Sequence, residues 1–351
     1  MILGDLGADV IKVERTGTGD ESRGWGPPFT AAGASAYYLC CNRNKLSVAL
    51  DLDLEADRAV LIDLIAGSDV VLENFRRGAL ADRGIAARHL LERHPGLVWC
   101  TISGFGAESD RPGYDFVVQA ECGWMSVTGE PGGQPMKTGM ALADVTAGKD
   151  AAIAILAALA DRARTSQPIP VERRHLHISL AHSATAALIN VAQNVLVGGA
   201  DAGRWGNAHP NLVPYQLFEA MDRSFVIAVG NDAQWRAACV ALGLPSLLED
   251  PALATNAGRL RQRTRVVGAI AERVRTAAAS EWLGALDAAG VPCGIVRSVR
   301  EALADVPTDP RTGVGPAVPG RVRLQPPGLD EHGARIRSFG WGVFDSTDRG
   351  S

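Results

Sequence analysis

"KLSVALDLDLEADRAVLIDLIAGSDVVLENF", residues 45–75, changes its period twice. Residues 45–53 are rich in Leu and Val and read as a strand. Residues 54–68 carry apolar positions at helical spacing. Residues 69–75 return to a β-rich run. Strand, helix, strand in this order is the signature of a parallel crossover. The same alternation continues on both sides. Upstream, "ADVIKVE" (8–14) is a strand that follows "LGDLG", a helix tail with a glycine stop. Downstream, a helix over 86–93 leads to "GLVWCTISGFG" (96–106), a further strand. These elements predict an α/β fold with a doubly wound, mainly parallel sheet. In such sheets ligands gather at the carboxyl ends of the strands. "ENFRRGA", "SGFG" and "ADVTAG" all stand at or after such ends. A helix tail this early should follow a strand of its own, so the sequence reads as starting part-way through a βαβ unit, with the N-terminal strand missing.

Residues 115–165 read as helix, loop and a long helix, and "HLHISLAHSATAALINVAQNVLV" (175–197) as a strand entering a helix. From Tyr215 the pattern changes to strands and amphipathic helices without parallel alternation, a smaller α+β domain. The Pro/Gly-rich tail from Asp305 is expected to cross back. The resulting division is a large domain over 1–200, rejoined by 305–351, and a small domain with connectors over 201–304.

The chain has 351 residues, a net charge of −4 and 46% apolar residues, which is ordinary globular composition. A general nucleic-acid binder is disfavoured by that charge. The longest purely apolar run, "AAIAILAALA" (151–160), falls short of the ~20 residues that cross a bilayer. The N-terminus lacks a basic leader and a signal-length apolar run, so a cytoplasmic protein with no membrane association is expected. The six cysteines form no C-x-x-C pair, and reduced thiols without a metal are expected.

Familiar site motifs fail one by one. No G-x-G-x-x-G follows a strand. "VTAGKD" resembles the end of a phosphate loop, but Ala143 replaces its first glycine and Asp150 replaces the Ser or Thr that would hold magnesium. G-x-S-x-G is absent. His175 and His177 share one face of a strand, without a matched carboxylate. There remains Asp144, in "TGMALADVTAGKD" (138–150), where a small-residue loop becomes an Ala-rich helix. Composition leaves it as either a helix cap, a role Thr146 could fill equally, or a nucleophile.

Taken in order, "LGDLGADVIKVER", "NRNKLSVALDL", "DVVLENFRRGAL", "SGFG", "GYDFVVQAECGWMSVTGEPGG", "TGMALADVTAG", "HPNLVPYQLFEAMD", "GNDAQW", "TNAGRLRQR", "AGVPCGIV" and "PPGLDEH" span nearly the whole chain. In this order they resemble the class III CoA-transferases, the family of formyl-CoA transferase and carnitine CoA-transferase, with α-methylacyl-CoA racemase as a relative. The resemblance implies a Rossmann-like large domain, a small domain and an interlocked homodimer. It implies coenzyme A, brought as acyl-CoA, as the cofactor, a carboxylic acid as the acceptor, and no metal. Asp144 matches the family nucleophile, which forms an acyl anhydride and then an aspartyl-CoA thioester. Arg15 matches a contact at the nucleotide end, and Leu50 a flank of the adenine. Asn74, Phe75 and Ala79 match the loop lining the cofactor. Tyr114 matches an active-site tyrosine where racemases carry a histidine. The small residues Gly139, Ala141 and Ala143 would let the thioester approach. Arg83 and Arg111 would compensate for Asp53 and Asp82, which stand where some members have basic residues. The alternatives are an acyl-CoA racemase or isomerase and a truncated, non-catalytic CoA-binding homologue.

Overall fold

A computed structural model of the chain describes residues 1–345. It contains two compact units. The first comprises Met1–Trp124, Thr138–Gln193 and the chain from Leu303 onward; the second comprises Met125–Lys137 and Asn194–Ala302. Residues 125–137 thus group with the second unit, although the linear reading kept them in the first.

The chain opens with α1 (Ile2–Asp5), β1 (Ile11–Arg15), α2 (Ala36–Leu39), β2 (Leu46–Leu50), α3 (Glu55–Ala66) and β3 (Val70–Glu73). It continues with α4 (Ala87–Arg93), β4 (Val98–Ser103), α5 (Asp115–Glu121), α6 (Trp124–Val127), α7 (Leu142–Arg164), α8 (Val171–Arg174), β5 (His175–Ser179), α9 (Leu180–Ala186) and α10 (Ile189–Gly198). The expected strands and helices therefore form where the periodicity places them. The fold is mixed α/β.

The single doubly wound sheet does not form. The first unit holds two separate parallel sheets, β1–β2 and β3–β4–β5. In the first, Ile11 to Arg15 pair in register with Leu46 to Leu50. In the second, Val70 pairs with Val98, and Trp99 to Ser103 pair with His175 to Ser179. The outer edge of β2 is satisfied by the C-terminal segment instead of by a strand. The Ser47 amide donates to His332 Nδ1 at 3.3 Å and the Ala49 amide to Asp330 Oδ1 at 2.7 Å, while Arg337 donates to the Ala49 carbonyl at 2.8 Å.

The long helix α7 illustrates how sequence becomes packing. Ala143, Ala147, Ala151 and Ile155 recur every fourth residue and are all buried. Their spacing makes one face, and their small size brings the helix close to the sheet. Cys100 of β4 packs with Ala151 and Ile155. Nearer the helix start, Ala143 and Ala147 pack with Val118, Trp124, Leu180 and Ala184. Asp144 lies one residue past this face, so the core contacts that fix α7 also orient its carboxylate outward.

The second unit is built on an antiparallel sheet, β6 (Tyr215–Glu219), β7 (Ser224–Ala228) and β8 (Cys293–Ile295). Its helices include α11 (Asp232–Leu242), α12 (Pro245–Leu248), α13 (Asn256–Arg261), α14 (Arg263–Val274) and α15 (Ala279–Ala288). Phe225, Ile227, Trp235, Leu242, Val266, Ile270 and Trp282 form its core. Arg259 is buried among them and donates to the Val213 and Leu253 carbonyls and to Asp232. Among the described residues no single helix is long and apolar enough to cross a membrane, although α9 and α10, bent by 69°, reach that composition together.

Candidate active site

Asp144 is the third residue of α7, and it does not cap the helix. Ala141 is the N-cap and offers no side-chain acceptor. Asp115 takes that role from a distance: its Oδ1 accepts the Ala143 amide at 2.8 Å. Thr146 is no cap either, because its hydroxyl donates back to the Leu142 carbonyl at 2.7 Å. The helix start is therefore satisfied without Asp144. Among the described residues no donor reaches the Asp144 carboxylate, and its own amide finds no acceptor. A bare carboxylate beside a free N–H is a reactive arrangement, since neither group is committed to structure.

Asp115 is itself held in place. Gln119, completely buried, donates to Asp115 Oδ2 at 2.7 Å and accepts the Thr138 amide at 2.9 Å. One amide side chain thus ties the start of α5 to the loop entering α7. Asp115 and Gln119 stand at i and i+4, a visible helical pair. Their target, 28 residues away at Ala143, carries no sequence signal. The start of α5 is fixed in turn by a glycine contact. A Cβ built on Gly104 would lie 2.6 Å from the Gly113 Cα, and one on Gly113 would lie 2.3 Å from the Gly104 Cα. The "SGFG" and "GYD" loops touch backbone to backbone, and only glycine allows it.

The electrostatics follow from this packing. Burial pushes the Asp144 carboxyl above the ordinary aspartate range, and the Asp115 charge pushes the same way. Tyr37 is raised by burial and then by the charges of Asp144, Cys40, Cys41 and Asp115. Tyr37 sits in α2, half exposed, edge-on to Trp25 with ring centroids 5.0 Å apart. Sequence reading passed over Tyr37, since nothing local ties a short aromatic helix to a carboxylate a hundred residues on.

The other predicted residues divide into groups. Tyr114 is the N-cap of α5, 60% exposed, and adjoins Asp115 directly. Gly139 has open space at its Cβ position. Ala143 does not flank the site: it is buried in the core under α7, so its smallness serves packing. Arg15 and Leu50 pair across the carboxyl ends of β1 and β2. Arg15 is exposed, but Leu50 is 2% exposed and packs with Leu46, Val48 and Leu64, so its side chain is a core group at this edge. Asn74 and Phe75 are exposed after β3, with the Phe75 amide donating to Glu73 at 2.8 Å. Ala79 closes the turn at Gly78, whose φ is 79°.

Arg83 links two of these groups. It pairs with Asp53, just past β2, at 2.9 Å, and donates to the Ala79 carbonyl at 3.1 Å. Arg111 is engaged by Glu121 and lies 4.1 Å over the Phe105 ring. Neither arginine is a spare cation. Arg15 and Arg76 are exposed and have no carboxylate partner among the described residues.

Two further features lay outside the predicted set. A cleft of about 460 Å³ at the ends of β4 and β5 is lined by Ser103, Phe105, His177, Ser179 and His182, and not by Asp144. His175 and His177 do share a face, with ring centroids 4.1 Å apart. Burial, with His177 adding to it, pulls His175 down to about 4, so it is neutral near pH 7. The second feature supports the β1 end. Buried Glu14 accepts Arg23 at 2.7 and 2.8 Å, the Ser47 hydroxyl at 2.7 Å and the Asp20 amide at 3.1 Å.

With this geometry in place, comparison with known proteins is informative. Residues 1–329 match the model of CoA-transferase family III. The succinate–glutarate CoA-transferase of Agrobacterium fabrum is 39% identical over 87% of this chain and 77% of its own length. The acetyl-CoA:oxalate CoA-transferase of Acetobacter aceti is 33% identical over 96% of this chain and 90% of its own. The crystal structure of a CaiB/BaiF family protein from Brucella suis superposes with a TM-score of 0.82 at 37% identity, covering 96% of this chain and 93% of that one.

Proposed function

The chain belongs to CoA-transferase family III and passes CoA from an acyl-CoA to a carboxylic acid, and we propose that Asp144 carries the exchange. The observation that supports this most is the uncommitted carboxylate at the third position of α7, whose helix start is capped from Asp115 instead.

The chemistry suits such a group. The ionised carboxylate attacks the thioester carbonyl, the C–S bond breaks, and CoA leaves as thiolate with an acyl–aspartyl anhydride in its place. The thiolate attacks the Asp144 carbonyl, freeing the donor acid and leaving an aspartyl-CoA thioester. The acceptor carboxylate then attacks that thioester and CoA thiolate departs again. Its return to the acceptor's acyl carbon releases the new acyl-CoA and restores Asp144. The unbonded Asp144 amide is suited to receive oxyanion charge in these steps. Raising the Asp144 pKa by burial makes its anion a stronger nucleophile.

Arg15 and Arg76, exposed without acid partners, suit the phosphates of CoA. Asn74, Phe75 and Ala79 suit the length of the cofactor, with Leu50 supporting the edge from within, and Tyr114 and Gly139 suit its thioester end. The acids named for the two curated relatives, succinate and glutarate in one and oxalate in the other, are all short dicarboxylates. A short dicarboxylate is accordingly the expected acceptor. The enzyme is read as a homodimer, a reading supported by the apolar residues Ile189, Leu196 and Val197, each more than 70% exposed.

The test is direct. Incubation with succinyl-CoA and a panel of free acids should give new CoA esters by mass spectrometry, dicarboxylates first. Hydroxylamine added during turnover should leave a hydroxamate on the peptide bearing Asp144. Turnover without any hydroxamate at that residue would remove Asp144 from the covalent role.

A further inference from the structure

Cys40 and Cys41 follow directly after α2, and both are exposed. Their sulfurs lie 3.4 Å apart. Both thiols face one acceptor, the Tyr37 carbonyl, at 3.1 Å from Cys40 and 3.6 Å from Cys41. The other four cysteines differ: Cys100, Cys122 and Cys239 are buried and Cys293 is half-buried. Burial pushes the Cys100 thiol up to about 11 and Cys239 up to about 12, which makes them poor nucleophiles. The exposed pair has the opposite surroundings. The two sulfurs share a hydrogen bond, and the Lys45 ammonium adds positive charge, so Cys41 is held below the ordinary thiol range. Lys45 is kept in place by its bond to Asn42 Oδ1 at 2.8 Å.

The pair is tied to the chemistry through Tyr37. Tyr37, whose carbonyl both thiols share, senses the Asp144 and Asp115 charges through its hydroxyl. The Cys40 amide closes α2 by bonding the Ala36 carbonyl at 3.1 Å. Any movement of the two sulfurs therefore acts on the short helix that carries Tyr37.

We propose that Cys40 and Cys41 form a reversible disulfide, with a peroxide as oxidant, that switches CoA transfer off. The Cys41 thiolate attacks a peroxide oxygen: an S–O bond forms, the O–O bond breaks, and the leaving oxygen takes up a proton. Cys41 becomes a sulfenic acid, and the peroxide is reduced by two electrons. The Cys40 thiol then attacks the Cys41 sulfur. An S–S bond forms, the S–O bond breaks, and water leaves with the Cys40 proton. The two Cα atoms are neighbours, ~3.8 Å apart. Disulfides usually span ~4.4–6.8 Å between Cα atoms, so a bridge here is readily reopened by a dithiol. That lability fits a switch better than a staple. Bridging removes the Cys40 S–H donor from the Tyr37 carbonyl and turns the end of α2. Bond formation is independent of the role of Asp144, whereas the effect on turnover rests on it.

The experiment uses the full chain and hydrogen peroxide. The expected product has a mass lower by about 2 Da, localised to the Cys40–Cys41 peptide. CoA transfer should fall by about tenfold or more and return with dithiothreitol. Cys40→Ser and Cys41→Ser should keep their activity in peroxide and show no such mass loss. An Asp144→Asn chain should still form the bridge, which separates failure of the switch from failure of the nucleophile. A bridge that leaves transfer unchanged overturns the proposal. So does a sulfenic or sulfinic acid that persists on Cys41 with Cys40 still reduced.

Discussion

Two carboxylates in the first unit, Glu14 and Asp144, have opposite surroundings. Glu14, next to last in β1, lies inside a shell of donors: Arg23 twice, Ser47 and the Asp20 amide. Burial alone would raise its pKa, but the bonds from Arg23, Ser47 and Asp20 outweigh that and hold it low. Asp144 is without donors, so partial desolvation and the charge of Asp115 raise it. Glu14 holds the "GDESRGW" loop to the sheet. Asp144 holds nothing and is left to react. A carboxylate saturated with hydrogen bonds is structural, and one deprived of them is available.

The largest expected effect breaks the comparison at Asp144. Asp144→Asn should lower transferase activity by about 10⁴-fold or more. It should also raise the melting temperature. The sign follows from linkage: a folded pKa above the unfolded one means the native state binds the proton more tightly, so the anion destabilises the fold once pH exceeds that range. Removing the charge removes the penalty. A variant with reduced activity and lowered stability would instead mark Asp144 as structural.

Glu14→Gln should do the reverse. Activity per folded molecule should change little, while stability falls by about 3 kcal/mol, read from the urea midpoint, because Arg23 loses its ionic partner. Acid titration sharpens the contrast. Asp20 is lowered to about 2, burial being outweighed by bonds from Lys12 and Ser22. Its stabilisation, like that of Glu14, is complete above the unfolded value near ~4 and is lost as pH falls towards 2. Asp144→Asn should leave that acid limb in place, and Glu14→Gln should flatten it.

A smaller effect belongs to Asp115. Asp115→Ala should cost about 1 kcal/mol as a lost cap. Asp115→Asn keeps an acceptor for the Ala143 amide but removes the charge. The acid limb of its kcat profile should therefore move to lower pH, since Asp144 ionises more easily. No shift would show that burial alone sets the Asp144 value. The smallest effect is expected at Arg111. Its bridge to Glu121 is exposed, so Arg111→Ala should leave the urea midpoint nearly unchanged.

Much of the molecule was legible from local pattern. The strands at Leu46–Leu50 and Val70–Glu73, and the helix between them, follow from period and glycine placement. Asp144 itself was found through the ordered set of motifs; composition alone left it between cap and nucleophile. What the chain read in line leaves out has a physical origin. Leu50 and Ala143 were assigned to ligand contact, and both are buried, because burial depends on which elements pack above a residue. Arg83 and Arg111 were expected to compensate for Asp53 and Asp82, and each pairs with a carboxylate, Arg83 with Asp53 itself.

By itself the sequence determined the elements, the parallel alternation of the first unit and the family to which the chain belongs. These rest on periodicity and on motif order, which are properties of the chain read in line. Only the tertiary structure decided that Asp115, not Asp144, caps α7, that the parallel strands form two sheets with β2 covered by the C-terminal segment, and that Tyr37 feels the charge of Asp144. Each of these depends on contacts between residues tens to hundreds of positions apart, and the energy of such a contact appears only when folding brings its two ends together.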